Sequence, residues 1–479
     1  MAELTAKQRM QIPRHDMPVQ DEHIRSGNFE EVALGYTLET AREEAERCLQ
    51  CKKPACVEGC PVGVRIPQFI KALRAGDMQK AVQEMKVKNN LPAICGRVCP
   101  QETQCEGKCI LGKKGESVAI GRLERFVGDY ELKHRTCPLT KANPTGKRIA
   151  IAGTGPAGLT CAVDLGREGH EVTMFESLHG PGGVLIYGIP EFRLPKSVVH
   201  SEVDYAIKCL GIDIKTDYII GRTLTLAEMS DQYDAIFLGT GAGLPSLMRI
   251  PGINLNGVMS ANEFLTRVNL MKSYLFPEYD TPSKVGRKVA VIGAGNVAMD
   301  AARCSIRLQK LVSKNESDEV HIVYRRSRDE VPARAEEVHH AEEEGIIFDF
   351  LTNPVEVIGD DKGTVKAMRC IRMELGEPDA SGRRRPVPIQ GSEFVMDVDT
   401  VIVALGTSPN PLVFEDAGGL ERTKWGTTVA DEATGRTTKP RVWAGGDVVT
   451  GAATVISAMG AGKRAAADMH KFVTEKGSW

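Results

Sequence analysis

The alternation of apolar and polar positions divides the chain into three stretches. Over residues 1–146 apolar residues recur at helical spacing in short runs. TLETAREEAERCLQC, residues 37–51, reads as an amphipathic helix running into a first pair of cysteines. IPQFIKALRAGDMQKAVQEMKVKN, residues 66–89, reads as a second helical stretch with a Gly-Asp break inside it. TCPLTKANPTG, residues 136–146, has the proline, glycine and threonine content of a linker. KRIAIAGTGPAGL then opens a strand, a glycine turn and a helix, and KVAVIGAGNVAMDAAR repeats that unit from Lys288. Afterwards the chain returns to strands ending in glycine, DTVIVALGTSPN and RVWAGGDVV. The two units share a pattern but no short period, so they predict a pair of related domains and not a solenoid. The expected fold class is α/β: a helical N-terminal domain, then two Rossmann-like domains.

Length and charge narrow this little. At 479 residues the chain suits two or three domains. Its 61 basic and 63 acidic residues leave a net charge of −2, which gives no reason to expect nucleic acid as partner. No run of about 18 apolar residues suggests a membrane span. The first 25 residues are polar and lack the apolar core of a signal peptide, so a cytoplasmic location is expected.

Gly153, Gly155 and Gly158 form G-x-G-x-x-G directly after the apolar run Arg148–Ala152, with Pro156 and Ala157 between the last two glycines. The first glycine permits the turn, the second lets backbone approach a pyrophosphate, and the third allows close helix–strand packing. The diphosphate would sit at the helix N-terminus. The next strand ends in Glu176, an acceptor for free ribose hydroxyls that would repel a 2′-phosphate. This site therefore suits FAD or NAD. Gly182 and Gly183 either bring backbone close to a flavin or form a plain turn. The C-terminal AGGDVVTGAATVISAMGAG makes the choice for FAD. Gly446 and Asp447 end a strand, Asp447 can bond the ribityl chain, and a helix beginning near Thr454 and Val455 can turn its positive end to the flavin pyrimidine. The arrangement resembles the two-dinucleotide-binding flavoprotein superfamily, which implies a discontinuous FAD domain.

The second motif, Gly293, Gly295 and Ala298 with Asn296 and Val297 between them, is followed by a strand ending in Arg325 and Arg326. Guanidinium groups there suit the 2′-phosphate of NADP(H); a solvated charge cluster is the other reading. Arg328 and Arg334 are candidate helpers. No redox-active cysteine pair follows either motif. Cys137, Cys161, Cys209, Cys304 and Cys370 stand singly and read as core or surface residues.

A flavin without a cysteine pair needs another acceptor. Of thirteen cysteines, eight lie between Cys48 and Cys109, as C-x-x-C-x4-C-x3-C and again as C-x3-C-x5-C-x3-C. Thiolates so clustered suit zinc or iron–sulfur. The spacings, and proline after Cys60 and Cys99, favour cubane clusters.

Together the cysteine pattern, GTGPAGL, GAGNVAMD and AGGD resemble the small subunit of glutamate synthase. They also resemble the N-terminal half of dihydropyrimidine dehydrogenase and the large subunit of the electron-bifurcating NADH-dependent ferredoxin–NADP⁺ oxidoreductase. The likeness runs from about Thr40 onward, and residues 241–274 and 370–394 look closest to the bifurcating subunit. It implies two [4Fe–4S] clusters with crossed ligands. One takes Cys48, Cys51, Cys56 and Cys109. The other takes Cys60, Cys99, Cys105 and, from IGRLE, Glu124, which leaves Cys95 out. Two sets of four cysteines would be the plain sequential reading, and Glu124 an ordinary helix-surface acid.

The expected domains are 1–146 for the clusters, 147–270 with 400–479 for FAD, and 271–399 for NADP(H). The expected function is hydride exchange between NADP(H) and FAD, with single electrons passing through the clusters and no side chain acting as acid or base. The resemblance implies partner flavoprotein or iron–sulfur subunits in a hetero-oligomer. Its first form is a bifurcating ferredoxin and NAD transhydrogenase; its second is the arm that feeds a glutamate synthase large subunit. A redox-sensing or assembly subunit is the non-enzymatic alternative.

Overall fold

A computed structural model describes residues 4–136, 138–282, 285–312, 318–380, 382–415, 417–475 and 479. The N-terminal part is helical. The helix Leu38–Glu46 ends before Cys48, one residue short of the cysteines it was expected to enter. The Gly-Asp break is real: Ile66–Arg74 and Met78–Lys86 are separate helices, and the Asp77 carboxylate caps the second by accepting from the Lys80 N–H. Their apolar faces, including Phe69, Ile70, Leu73, Val82 and Met85, close one core with Leu123 and Val127.

Two further helices, Pro92–Val98 and Ile120–His134, cross closely because glycine stands at their contacts. A Cβ on Gly128 would lie 2.5 Å from the Ala93 nitrogen, and one on Gly96 would collide with the Arg125 backbone. This approach brings Glu124 to the helix that carries Cys95.

The first nucleotide domain is a parallel sheet in the order Val442–Ala444, Ala235–Leu238, Arg148–Ala152, Glu171–Phe175, Asp213–Lys215. Its edge strand comes from the C-terminal segment, so the domain is discontinuous. The second sheet, also parallel, runs Val258–Ser260, Thr400–Val403, Lys288–Ile292, Glu319–Tyr324, Ile347–Phe350. This corrects the expected limits of 271 and 399. The strand Val258–Ser260 and the strand Thr400–Val403 hydrogen-bond into the second sheet, so both belong to it. The chain crosses between domains at Leu244–Pro245 and Thr407–Ser408, which pair antiparallel. The second domain also carries an antiparallel meander, Thr352–Gly359, Val365–Pro378, Arg384–Pro388 and Phe394–Met396, which the glycine motifs do not signal.

The segment before Thr40 ties the domains together. Phe29 stacks on Tyr274 at 4.3 Å, the Val32 N–H donates to the Phe192 carbonyl at 2.9 Å, and the Arg25 guanidinium reaches Glu343 and Glu344 at 2.5 and 3.1 Å. Among the described residues no helix is long and apolar enough to cross a membrane.

An alanine replacing glycine in a free helix adds about 1 kcal/mol of stability. Gly128→Ala should do the opposite and lower the thermal midpoint of the protein, because the added methyl meets backbone. A raised midpoint would show that the two helices do not depend on this contact.

Candidate functional site

The first glycine turn is built as its strand requires. Gly153 has φ +96°, and a Cβ there or on Gly158 would collide with the carbonyl oxygens of Gly239 and Gly153 respectively. A Cβ on Gly155, in contrast, meets no protein atom within 4 Å. The turn is thus crowded by protein on two glycines and open on the one that must let a diphosphate approach. Gly155 precedes the helix Pro156–Arg167, whose first N–H groups face that opening. Glu176 stands at the end of the neighbouring strand, where its carboxylate accepts from the Thr154 N–H at 3.1 Å and the Leu178 N–H at 3.0 Å. A Cβ on Gly183 would lie 2.8 Å from the Gly155 Cα, so the Gly182-Gly183 pair packs on the turn itself.

The C-terminal segment closes the same site. A Cβ on Gly446 would lie 3.0 Å from the Ala157 Cβ. Asp447 accepts from the Ala453 N–H at 3.2 Å, and burial pushes its carboxyl up to about 6. A half-buried carboxyl with one N–H donor is suited to further hydroxyl donors. Tyr187 lies near both Asp447 and Glu176, and burial with those charges pushes its phenol up to about 12. Thr454 caps the helix Val455–Glu475 by accepting from the Ser457 N–H at 3.2 Å. These features fit a dinucleotide with free ribose and ribityl hydroxyls.

At the second turn, Gly295 is likewise open and Ala298 fully buried, while Val297 is exposed. The arginines part company. Arg325 is exposed at the strand end. Arg326 is buried and turned to the meander, donating to Asp379 at 2.7 Å and to the Arg384 carbonyl at 2.8 Å. Arg328 forms an ion pair with Glu342. Arg334 is no helper at a ribose phosphate here. Its guanidinium donates to the Arg97 carbonyl and to Gln101, each at 3.0 Å, and its N–H donates to the Asn296 side chain at 2.9 Å. It joins the second turn to the cysteine domain.

Cys48, Cys51, Cys56 and Cys109 line one cavity of about 110 Å³, walled by Ile66, Ile70, Leu111, Val118 and Ile120. Burial, then the neighbouring Cys48, Cys109 and Cys51, push the Cys56 thiol up to about 12. Such thiols give up their protons only to a cationic group among them, which is what an iron–sulfur core provides. Cys60, Cys99, Cys105 and Glu124 form a second group, deeper in the protein. Burial raises the Cys105 thiol, and the charges of Glu106, then Glu124, Cys99 and Cys60, add to it. Burial pushes Glu124 up to about 7 against one hydrogen bond, from the Asn89 amide at 2.6 Å. Cys95 lies in the same group and is fully buried. Its thiol contacts the Asn89 side-chain oxygen at 3.6 Å and the Met459 sulfur at 3.5 Å. The structure therefore gathers five candidate donors here. Among the described residues no three His, Cys, Asp or Glu side chains converge on a single metal-ion position; a cubane spreads its ligands over separate iron corners and does not require that.

The second group adjoins the first nucleotide domain. A Cβ on Gly460, in the helix Val455–Glu475, would lie 3.1 Å from the Pro61 carbonyl oxygen. Ile94, Cys95 and Cys99 share a core with Ile149, Leu159 and Met459. Cys60 packs both against the core beneath the first glycine turn and against the core that holds Cys48. Cys161, Cys304 and Cys370 are buried, Cys209 is half-buried, and Cys137 lies outside the described residues. Sequence reasoning missed Asn89, which holds Glu124 and Cys95 together, and the new setting of Arg334; no motif marks either.

Comparison with known proteins places this geometry. The family described as pyridine nucleotide-disulphide oxidoreductase matches residues 147–462, and that described as dihydropyrimidine dehydrogenase domain II, 4Fe–4S cluster, matches residues 25–136. The chain belongs to the pyridine nucleotide-disulphide oxidoreductase family, with a 4Fe–4S domain of the dihydropyrimidine dehydrogenase type before it, and is an oxidoreductase. It is 39% identical over 444 residues to the NADP⁺-dependent formate dehydrogenase subunit beta of Moorella thermoacetica, covering 88% of this chain and 60% of that one. It is 35% identical over 462 residues to the glutamate synthase (NADPH) small chain of Escherichia coli, covering 95% and 96%. The structure of Mycobacterium tuberculosis FprA in complex with NADPH shares the fold over 70% of this chain and 87% of that one, at 20% identity and a TM-score of 0.57.

The raised Asp447 carboxyl gives a test in the cofactor-free protein. With an ordinary value of 3.8 and a folded value of about 6, its stabilising protonated form is fully present below about pH 4. That contribution is lost as pH rises through about 6. Asp447→Asn should therefore gain stability relative to the parent between pH 4 and 7, read as a difference of thermal midpoints. A difference independent of pH would contradict the assignment.

Proposed function

We propose that the chain is the NADP(H)-linked flavin and iron–sulfur subunit of a larger enzyme. In this reading the first turn, Asp447 and the Val455–Glu475 N-terminus hold FAD, and the second turn with Arg325 holds NADP(H). Cys48, Cys51, Cys56 and Cys109 hold one [4Fe–4S] cluster, and Cys60, Cys99, Cys105 and Glu124 hold another. When bound, these groups supply hydride acceptance and its conversion to single electrons. The protein aligns the two nucleotides, excludes water with Tyr187 and the C-terminal helix, and keeps the donors at fixed places. The observation that carries the reading is the unbroken packing from the first turn through Met459 and Cys95 to the Cys60 group, and on to the Cys48 group.

Two destinations for the electrons have support. Residues 241–274 and 370–394 resemble the bifurcating subunit, which favours transfer of one electron towards ferredoxin and one towards a partner flavoprotein reducing NAD⁺. Near full-length likeness to glutamate synthase small chains favours delivery to a glutamine- and 2-oxoglutarate-converting subunit. Mass spectrometry of what co-purifies anaerobically with the chain decides between them. A small flavin and [2Fe–2S] subunit supports the first, and a large glutaminase and FMN-barrel subunit the second. Purification of the active chain alone would contradict both.

Loss of a charge-assisted contact to the 2′-phosphate costs about 1.5–3 kcal/mol. Arg325→Ala should thus raise the KM for NADPH roughly ten- to hundredfold and leave that for NADH unchanged; equal effects on both would remove Arg325 from this role. Glu124→Ala should abolish or alter one cluster's EPR signal while Cys95→Ala leaves both signals intact. The reverse pair of results would exchange the two ligands.

A further inference from the structure

The segments that carry Cys99, Cys105 and Glu124 meet at one residue, Gln101. Its backbone N–H donates to the Cys99 carbonyl at 3.0 Å. Its carbonyl accepts from the Glu106 and Gly107 N–H groups, just after Cys105, at 3.0 and 3.2 Å. A Cβ on Gly121, one turn before Glu124, would collide with the Gln101 amide. Gln101 is in turn held from another domain. The Arg334 guanidinium donates to the Gln101 side-chain oxygen and to the Arg97 carbonyl, each at 3.0 Å. Arg334 immediately precedes the helix Ala335–Glu343, and Asn296 of the second glycine turn accepts from its backbone N–H at 2.9 Å.

The charges around the Cys60 group are one-sided. Those acting most on Cys60, Cys99 and Cys105 come from these cysteines themselves, Cys95, Glu106 and Glu124. Among the described residues, Arg334 is the one cation of that set. The hydrogen bond with Cys95, then burial, then the Cys95 and Glu124 charges raise the Cys99 thiol, and Arg334 pulls the other way. Acids also meet this guanidinium. Glu336 and Glu102 lie at 2.7 and 3.8 Å, but their side chains are 32% and 38% exposed, against 7% for Arg334, so water screens them. Glu337, at 4.0 Å, is already paired with Arg193 and Arg303. Reduction of a cluster adds one electron, and so one negative charge, beside Glu106 and Glu124. A buried cation nearby favours the reduced form.

We propose that Arg334 is a positioning residue that braces the ligands of the Cys60 cluster through Gln101 and, by its charge, sets that cluster's reduction potential. The proposal rests on the cluster assignment of the Cys60 group. Because the cation comes from the second nucleotide domain, the potential depends on that domain being seated against the loop after Cys99.

The test is an anaerobic potentiometric titration of the iron- and flavin-loaded protein, with dithionite and redox mediators and without nucleotide, followed by low-temperature EPR. The signal that changes in Glu124→Ala is read as that of the Cys60 cluster. Arg334→Gln should lower its midpoint, so that the ratio of reduced to oxidised cluster at a fixed potential falls roughly tenfold, about 59 mV for a one-electron centre. The midpoint of the Cys48 cluster should stay where it is. Arg334→Lys keeps the charge and should recover part of the shift. Glu336→Gln removes an acid from the same guanidinium and should move the midpoint the opposite way, by less. Arg328→Gln, at an exposed arginine of the same domain that pairs with Glu342, should change nothing. An unmoved Cys60 midpoint in Arg334→Gln would overturn the proposal, as would an equal fall at both clusters or an equal fall from Arg328→Gln. If Arg334→Gln fails to assemble the cluster, Glu336→Gln carries the test, and an unchanged midpoint there overturns the proposal. A parent protein with no signal that responds to Glu124→Ala would instead overturn the cluster assignment beneath it.

Discussion

The arrangement hangs on one contact, the crossing of the helix Val455–Glu475 over the helix Pro156–Arg167. A Cβ on Gly462 would collide with the Ala157 carbonyl, so only glycine lets the two helices lie this close. The crossing closes the first nucleotide site from the C-terminal side. It also brings Met459 to Cys95 and Gly460 to Pro61. One helix thus seals the dinucleotide cleft and seats the cysteine domain. Polar contacts hold the seat: Asp164 accepts from Asn90 and from Lys463, each at 2.8 Å.

The second nucleotide domain is held by buried charge as well as by the apolar packing of Phe29, Val32 and Phe192. Arg193 pairs with Asp300 and Glu337 across the domain boundary, and Arg303 and Arg307 share Glu344 while stacking beside Phe192. Buried ion pairs of this kind add little net stability, but losing one partner is costly. They specify one orientation. Together with Arg25 and Arg334 they hold the second domain against the first domain, the N-terminal segment and the loop after Cys99.

Much of this was legible in the sequence, because strand, glycine turn and helix are local. Arg148–Ala152, Glu176, Lys288–Ile292 and the Gly-Asp break all follow from spacing within a few residues. What was not legible depends on pairing across long separations. Val258–Ser260 is a short strand whose membership is set by Thr400–Val403, some 140 residues away, so the expected boundary at 271 fell inside the second domain. Arg325 and Arg326 are equivalent by position, yet the bend after the strand Glu319–Tyr324 leaves one to solvent and turns the other to Asp379. Arg334 reads as one more base beside a nucleotide, and its actual partners, Arg97 and Gln101, are over 230 residues earlier. The crossed cysteine grouping came from family resemblance, and spacing alone does not give it.

The most direct test of the account is an anaerobic titration of the loaded protein with NADPH, followed together by flavin absorbance and low-temperature EPR. The account predicts that NADPH bleaches the flavin and that reduced [4Fe–4S] signals then appear, with electrons recovered in both. Bleaching of the flavin with no cluster signal at any excess of NADPH, even though low-potential dithionite reveals the clusters, would contradict a working path from the first glycine turn to the cysteine domain.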